Sequence, residues 1–576
     1  MSHATGPSAT EITVRETLNL LDERFAAFAE DIAQDRYVLW LGSGISRGRV
    51  DDLKRLVRRV LSYLQERIDH SVKNCRFRRA LDEVLSLVPP TERKCLDFKR
   101  PVGEWEELGT ILEYLRPNYS KLLDVSVEGE PLDFLLWEAV DVRGTYANDT
   151  VTPDCEHLCV AILVTEGVFS DIASANWDGL IEAAMEQIGG ASKSIISVCV
   201  TGKDFREPSS RTRLFKFHGC AVRAKTDPGT YRNLLIARHS QINDWISNST
   251  HAVMVNHLID LVVRKPTLIV GLSVQDANIQ NVFASAKNRM KWRWSSNPHA
   301  YVFAEDDLGA DQKSLLRCVY CDDYETAASP QEIDNSARLP AYAKPLLVAL
   351  VLHVLCTKLR RLVELAVSRL TAGDCDKLKA GVIALRNFVA ACVEPDHLAF
   401  IRLLVRHMSC ALSLFQEGKI LPPAVLHYCP LSVSPVHQIE DEPSLSTSGL
   451  RELAIALALL GIGMQNGAWT PDIVDPSDST AGALRVVSST SGPTGIFFVA
   501  NSTAEIQLYR NDYISDGNTA VLVHSTLLAP SMPRSPRATP GRTGHVGSRA
   551  VSIAELLESV SSTDQLFQKF REEVAL

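Results

Sequence analysis

The sequence predicts an α/β fold, with a Rossmann-like parallel sheet, a helical insertion, and a mostly helical C-terminal region with some β-structure. Three observations carry this. Apolar, β-rich runs at 37–41, 169–179, 194–200, 213–219, 267–273 and 299–305 are largely separated by helical stretches, the pattern of a parallel sheet covered on both faces. Several of these runs end in Gly, Ser, Asn, Asp or His, and in open α/β sheets ligands sit at the C-terminal strand edge. From about residue 339 the apolar spacing becomes almost wholly helical.

The elements follow in order. Ile12, Val14, Leu18, Leu21, Phe25, Phe28 and Ile32 recur at helical spacing and predict an amphipathic helix over 11–34 that leads into the strand 37–41. A glycine turn follows, then a helix over 51–68 that begins a helical insertion spanning about 49–150. Residues 155–167 read as a helix, 169–179 as a strand, and 179–190 as a helix closed by glycines. Residues 340–418 read as helices, 425–448 as a connection and 450–464 as an apolar helix. The runs RVVSS, GIFFVA, EIQLY and TAVLVH within 482–528 read as β-like. Residues 529–549, rich in Pro, Gly and Arg, are expected to be a disordered linker. The capping box Ser552-x-x-Glu555 opens a terminal helix over 550–576. The domains are thus placed at 1–335 and 336–528, followed by the linker and the last helix.

Composition narrows the function classes. The chain has 576 residues, 45% hydrophobic and 22% charged, the balance of a soluble protein with a large core. The net charge of -9 gives no basic field that calls for nucleic acid. Arg47, Arg49, Lys54, Arg55, Arg58 and Arg59 cluster locally and read as a solvated helix face, or as a site for phosphates, a partner or nucleic acid. Thirteen scattered cysteines and an N-terminus without a signal-peptide pattern lead to the expectation of a reducing cytoplasm. The apolar runs 346–356 and 454–464 fall short of the roughly 18–20 residues of a membrane span, so no membrane association is expected.

Four short motifs end strands. Gly42-Ser43-Gly44-Ile45-Ser46 is either a tight turn or a cradle whose backbone N–H groups approach a pyrophosphate. In Asn176-Trp177-Asp178, Asp178 can cap the next helix, or the Asn176 amide can orient a ribose or a water. His218-Gly219 is a satisfied histidine or a site imidazole with close backbone approach. Gly271-Leu272-Ser273-Val274-Gln275-Asp276 is a capped turn or a ligand loop.

Taken in order, these motifs resemble the Sir2 family, and more closely its divergent branch in bacterial anti-phage defence, over roughly residues 30–310. The resemblance implies an NAD-binding Rossmann-like domain. Gly42, Ser43, Gly44 and Ser46 would line the phosphates and adjoining ribose. Asn176 and Asp178 would face the nicotinamide end and His218 its ribose. Gly271, Ser273 and Asp276 would contact the adenosine half. The continuation RGRVDDLKR after Ser46 and the indole of Trp177 depart from the family pattern.

Protein-deacylating sirtuins carry two C-x-x-C pairs between the His-Gly and Gly-x-Ser motifs. Here 219–270 holds only Cys220, and a structural zinc takes four ligands. The pair Cys318/Cys321 comes too late, and Cys155, His157 and Cys159 lack a second half nearby. The expectation is therefore no zinc, with NAD+ as substrate: hydrolysis to ADP-ribose and nicotinamide, with Asn176, His218 and Asp178 as the catalytic residues. A cyclic product stays open, as do a zinc-free deacylase and a non-catalytic NAD or ADP-ribose sensor. By resemblance, the expected setting is an NAD-depleting effector in a bacterial cytoplasm, held by self-association. A separate sensor would release it, a HerA-type ATPase in the first place or a short Argonaute with guide and target.

Overall fold

The structure is a computed structural model. It describes residues 8–93, 96–189, 195–208, 210–326, 330–367, 370–421, 427–476, 478, 482–489, 492–514, 520–528 and 549–576. The linker expected at 529–549 lies outside the described residues, Arg549 excepted.

Seven parallel strands form the first sheet: β1 Val38–Leu41, β2 Asp171–Ser174, β3 Ile196–Cys199, β4 Thr212–Lys216, β5 Thr267–Val270, β6 Tyr301–Ala304 and β7 Arg338–Leu339. Their order is β3-β4-β2-β1-β5-β6-β7. Leu41 at the end of β1 pairs with Ser174 of β2 and Val270 of β5, and Ser174 pairs with Lys216 of β4. The registers therefore bring the C-terminal tips of four strands to one edge, which is where the four motifs begin.

The central strand reads as an unbroken apolar run because both its faces are covered. Leu39 and Leu41 join the core formed with the helices Cys155–Thr165 and Ala343–Ala366. Val38 and Trp40 join a second core with the insertion, through Leu56, Val60, Leu112 and Leu135. Trp40 packs between Phe217 and Phe283, ring centroids 5.6 and 4.9 Å away. One face of the sheet thus meets the insertion, and the other runs into the C-terminal region.

That region is largely helical, with Ala343–Ala366, Ala372–Ala390, His397–Leu412 and Leu450–Gln465. A second sheet follows: β8 Thr470–Asp472, β9 Leu484–Ser488, β10 Gly492–Val499, β11 Ala520–His524 and β12 Arg549–Ser552. It is ordered β12-β11-β10-β9-β8, with β10 to β12 parallel and β8 and β9 antiparallel. Among the described residues one helix, His397–Glu417, is long and apolar enough to cross a bilayer by length and composition.

The two halves are tied by a buried ion pair. Lys358 Nζ donates to Glu166 Oε2, to the Glu166 carbonyl and to the Ser432 carbonyl, each at 2.6 Å. Tyr428 Oη and the Leu431 N–H donate to the other carboxylate oxygen at 2.7 and 3.1 Å.

Several element boundaries differ from the sequence reading. The helix expected over 11–34 is two, Val14–Asp22 and Ala26–Ala33, the first opened by a Thr13/Glu16 capping box. EIQLY, expected as β-like, lies within the helix Ser502–Arg510. Asn501 accepts the Ala504 N–H there, and Leu508 is buried in a small core; the cap and the helical packing override the β-prone composition. The terminal helix is also two, Ile553–Glu558 and Thr563–Val574, because Ser562 caps a fresh start.

Candidate functional site

The glycine turn after β1 and the loop after β5 cross at backbone contact. The Gly42 N–H donates to the Val270 carbonyl at 3.1 Å and the Gly44 N–H to the Gly271 carbonyl at 2.9 Å. A Cβ on Gly44 would stand 2.6 Å from Gly271 Cα, and Gly271 itself sits at φ +64°. Only glycine permits both that approach and that dihedral. The three glycines are thus explained by the crossing itself, and the Gly42 and Gly44 N–H groups are already bonded.

Beyond the crossing, Ser43–Ser46 forms one 3-10 turn that carries Ser46 inward, where it is fully buried. Its hydroxyl is the centre of a polar knot. The Asp154 N–H donates to His157 Nδ1 at 3.2 Å, so the His157 proton is on Nε2, which lies 3.1 Å from Ser46 Oγ. Asn176 Nδ2 donates to the same oxygen at 3.3 Å, and Ser46 donates to Asp178 Oδ2 at 2.9 Å. Ser46 accepts twice and donates once, so every bonding position is filled. Burial depresses the His157 pKa, against the pull of Asp178 and Asp154, and keeps the ring neutral.

Asp178 is also the cap of the helix Leu180–Gly189: its Oδ1 accepts the Leu180 N–H at 3.1 Å. Beneath it the fully buried Lys216 ammonium donates to the Asp178 carbonyl and stands 2.7 Å from Glu182. Burial works against that charge, but Cys220, Glu182 and Asp178 together raise its pKa.

The bonding of Asn176 is incomplete. Its amide nitrogen is held by Ser46, while its buried Oδ1 has no partner among the described residues. The side chain borders a cleft of about 100 Å3 at the strand-tip edge. Ser43, Gly271, Ser273 and Asp276 also line it, as do His218 and Trp177. Val50, Asp51, Leu53, Leu56, Tyr119 and Tyr146 bring the insertion over it as a roof.

His218 is buried, and burial lowers its pKa, opposed by Asp276 and by its bond to Asn278. Asn278 Oδ1 accepts the Ile279 N–H at 3.0 Å, so its NH2 group is the part that meets His218 Nε2 at 2.9 Å. Nε2 is then an acceptor, and the neutral ring carries its proton on Nδ1. Asp276 accepts the Tyr119 hydroxyl, 3.0 Å from each carboxylate oxygen. Asp276 and His218 line the same cleft, and the carboxylate opposes the fall in the imidazole's pKa. Burial and Asp276 both raise the Tyr119 pKa and keep the phenol protonated.

Three carboxylates meet at the cleft, of which Asp51 is paired with Arg59 at 2.5 Å. Asp51, Asp178 and Asp276 line it, and among its described lining residues there is no Lys or Arg. Such a site favours a cationic group or a centre that becomes cationic.

Residues 170–324 match the family model described as a SIR2-like domain. That domain is generally an NAD-utilising enzyme fold, and no curated protein matches the chain. The matched stretch holds Asn176, Asp178, His218, Gly271, Ser273 and Asp276, whereas the glycine turn that packs against it lies upstream. Among the described residues no group of three or more His, Cys, Asp or Glu side chains is placed to hold a metal ion.

Three residues of the site carry no signal of their own in the sequence motifs. Asn278, which sets the His218 tautomer, stands two places after Asp276 and was within reach of the same motif. His157 reads from sequence only as a metal ligand, because nothing local marks its contact with a serine 111 residues away. Tyr119 sits in the insertion with no motif around it.

Next to His157, Glu156 is 6% exposed, and its Oε2 has no partner among the described residues. Burial raises its pKa to about 7, with Asp154 adding to the rise and Lys344 and Arg49 opposing it. A raised carboxyl pKa favours the folded state most when the group is neutral. That contribution is fully present below about 4.5 and is lost as pH rises through about 7. Glu156→Gln is therefore expected to remove a loss of about 3 kcal/mol between about pH 5 and pH 8, read from urea midpoints at both. Equal pH slopes for the two proteins would contradict this.

Proposed function

We propose that the cleft hydrolyses NAD+ at the bond between nicotinamide and ribose, giving ADP-ribose and nicotinamide. The observation that carries this is Asn176, whose buried Oδ1 has no partner among the described residues, at the edge of a cleft whose described lining holds three carboxylates and no Lys or Arg. Nicotinamide in NAD+ is already cationic, so it leaves with the bonding electron pair as a neutral ring and needs no proton. The charge passes to the ribose as an oxocarbenium-like centre, which Asp178 and Asp276 stabilise. Asn176 Oδ1 accepts a hydrogen bond from water and aims its lone pair at the anomeric carbon. As the C–O bond forms, the water proton is lost to solvent.

His218, with Nε2 engaged by Asn278, offers its Nδ1–H and serves as a donor to a ribose hydroxyl; in this tautomer it is no base. Ser43 and Ser273 stand at the same cleft as contacts for the remainder of the dinucleotide. On the resemblance of its motifs, the protein is an NAD-depleting defence effector. Its C-terminal region would serve self-association and docking of a sensor, an ATPase before an Argonaute.

The test is NAD+ consumption by the full chain with and without an acyl-lysine peptide, followed by chromatography of the products. Nicotinamide and ADP-ribose formed without peptide support the proposal. Peptide-dependent release, or binding of intact NAD+ without turnover, would replace it with a deacylase or a sensor.

A further inference from the structure

A second cavity, of about 240 Å3, lies in the C-terminal region, far in sequence from every strand-tip motif. Leu355, Phe400, Leu404, Met408, Leu457 and Phe498 are among its walls, and its lining is almost entirely carbon. It is larger than the cavity of about 150 Å3 that suffices to admit benzene. Leaving an apolar space of this size empty forfeits the contacts of every side chain around it, a large cost beside the stability of a typical domain.

The helix bordering it points the same way. His397–Glu417 is apolar enough for a bilayer, yet its most apolar stretch is only 44% buried. Leu403, Leu404, Met408 and Ala411 of that helix face the cavity. These four residues are half-buried, so part of the apolar surface that the protein's own packing leaves uncovered is cavity wall.

The few polar groups define the head of a ligand. Asp472 and Arg485 are both at the cavity and satisfy each other, with Arg485 Nε donating to Asp472 Oδ2 at 2.8 Å. An ionised head therefore finds no free counter-charge in them. His407 also lines the space, and its buried Nε2 has no partner among the described residues. Burial keeps that imidazole neutral. The ring's other nitrogen donates to the Val474 carbonyl, so Nε2 is an acceptor in the neutral ring and takes a hydrogen bond from a hydroxyl.

We propose that this cavity binds one neutral aliphatic alcohol, its chain among the leucine and phenylalanine side chains and its hydroxyl on His407 Nε2. The inference is independent of what the strand-tip cleft does, and a failed NAD+ assay would leave it standing.

The experiment uses the full chain and n-alkanols of increasing length, read by thermal unfolding and by native mass spectrometry. The expected result is a saturable rise in Tm with an optimum chain length, one alkanol bound per chain, and a smaller rise with the methyl ether of the same length. Ala411→Phe and, separately, Leu404→Trp fill the space and are expected to abolish the rise in whichever of them folds. His407→Leu is expected to make alkanol and ether equivalent. The proposal is overturned if no alkanol raises the wild-type Tm saturably, or if a folded cavity-filling variant keeps the full rise. A preference for alkanol that survives His407→Leu overturns the placement of the hydroxyl.

Discussion

Asn176→Ala is expected to slow NAD+ cleavage by about 10²–10³-fold, the usual cost of removing one preorganised dipole from a reacting centre. The unfolding midpoint should move little, by about 1 kcal/mol, because the side chain makes a single bond of 3.3 Å to Ser46. Its other polar atom has nothing to lose, having no partner among the described residues. An oxygen buried against a cleft without a partner costs free energy in the folded protein, and the account places a reacting water there. Asn176→Asp retains an acceptor oxygen and should recover part of the rate, while Asn176→Leu should not. Steady-state kinetics beside urea unfolding checks all three. Wild-type turnover by Asn176→Ala would remove the residue from the reaction.

The largest stability effect is expected at Lys358. Its ammonium and the Glu166 carboxylate are almost fully buried and meet at 2.6 Å. Burial lowers the Lys358 pKa, opposed by Glu166. Lys358→Met keeps the apolar stem but leaves a buried carboxylate whose remaining hydrogen-bond donors among the described residues are Tyr428 and the Leu431 N–H, with the charge of Arg211 nearby. Breaking a buried pair from one side costs about 3–5 kcal/mol. The urea midpoint of the full chain should fall accordingly. Because Glu166 ends the helix that carries His157, and Lys358 and Ser432 belong to the C-terminal region, partial proteolysis should show the two halves separating at lower denaturant. A loss below about 1 kcal/mol would mean that the pair is not what joins them.

The central sheet was legible because its strands are short, apolar and covered on both sides: Val38 to Leu41 reads as one buried run, and it is one. Where two signals competed, the stronger local one was easily missed. Ile506 and Tyr509 look β-prone, but Asn501 caps a helix through them. Phe25 and Phe28 continue the apolar spacing across the break between two helices, so the break left no trace in the pattern. At the site, the strand-end motifs could be listed but not their bonding. Ser46, Asn176 and Asp178 are brought to one knot by the registers of β1 and β2, and His157 joins it from a helix whose every residue is buried. A residue in such a helix carries no amphipathic signature to mark it. The glycines illustrate the reverse: their spacing suggested a phosphate cradle or a tight turn, and the backbone crossing between Gly44 and Gly271 already requires them.

The most direct test of the central claim is to let the full chain turn over NAD+ in ¹⁸O-labelled water and weigh the product. The account predicts ADP-ribose carrying one ¹⁸O on the former nicotinamide-bearing carbon, formed without any acyl-lysine substrate. Unchanged NAD+, or a product in which another nucleophile occupies that carbon, would contradict it.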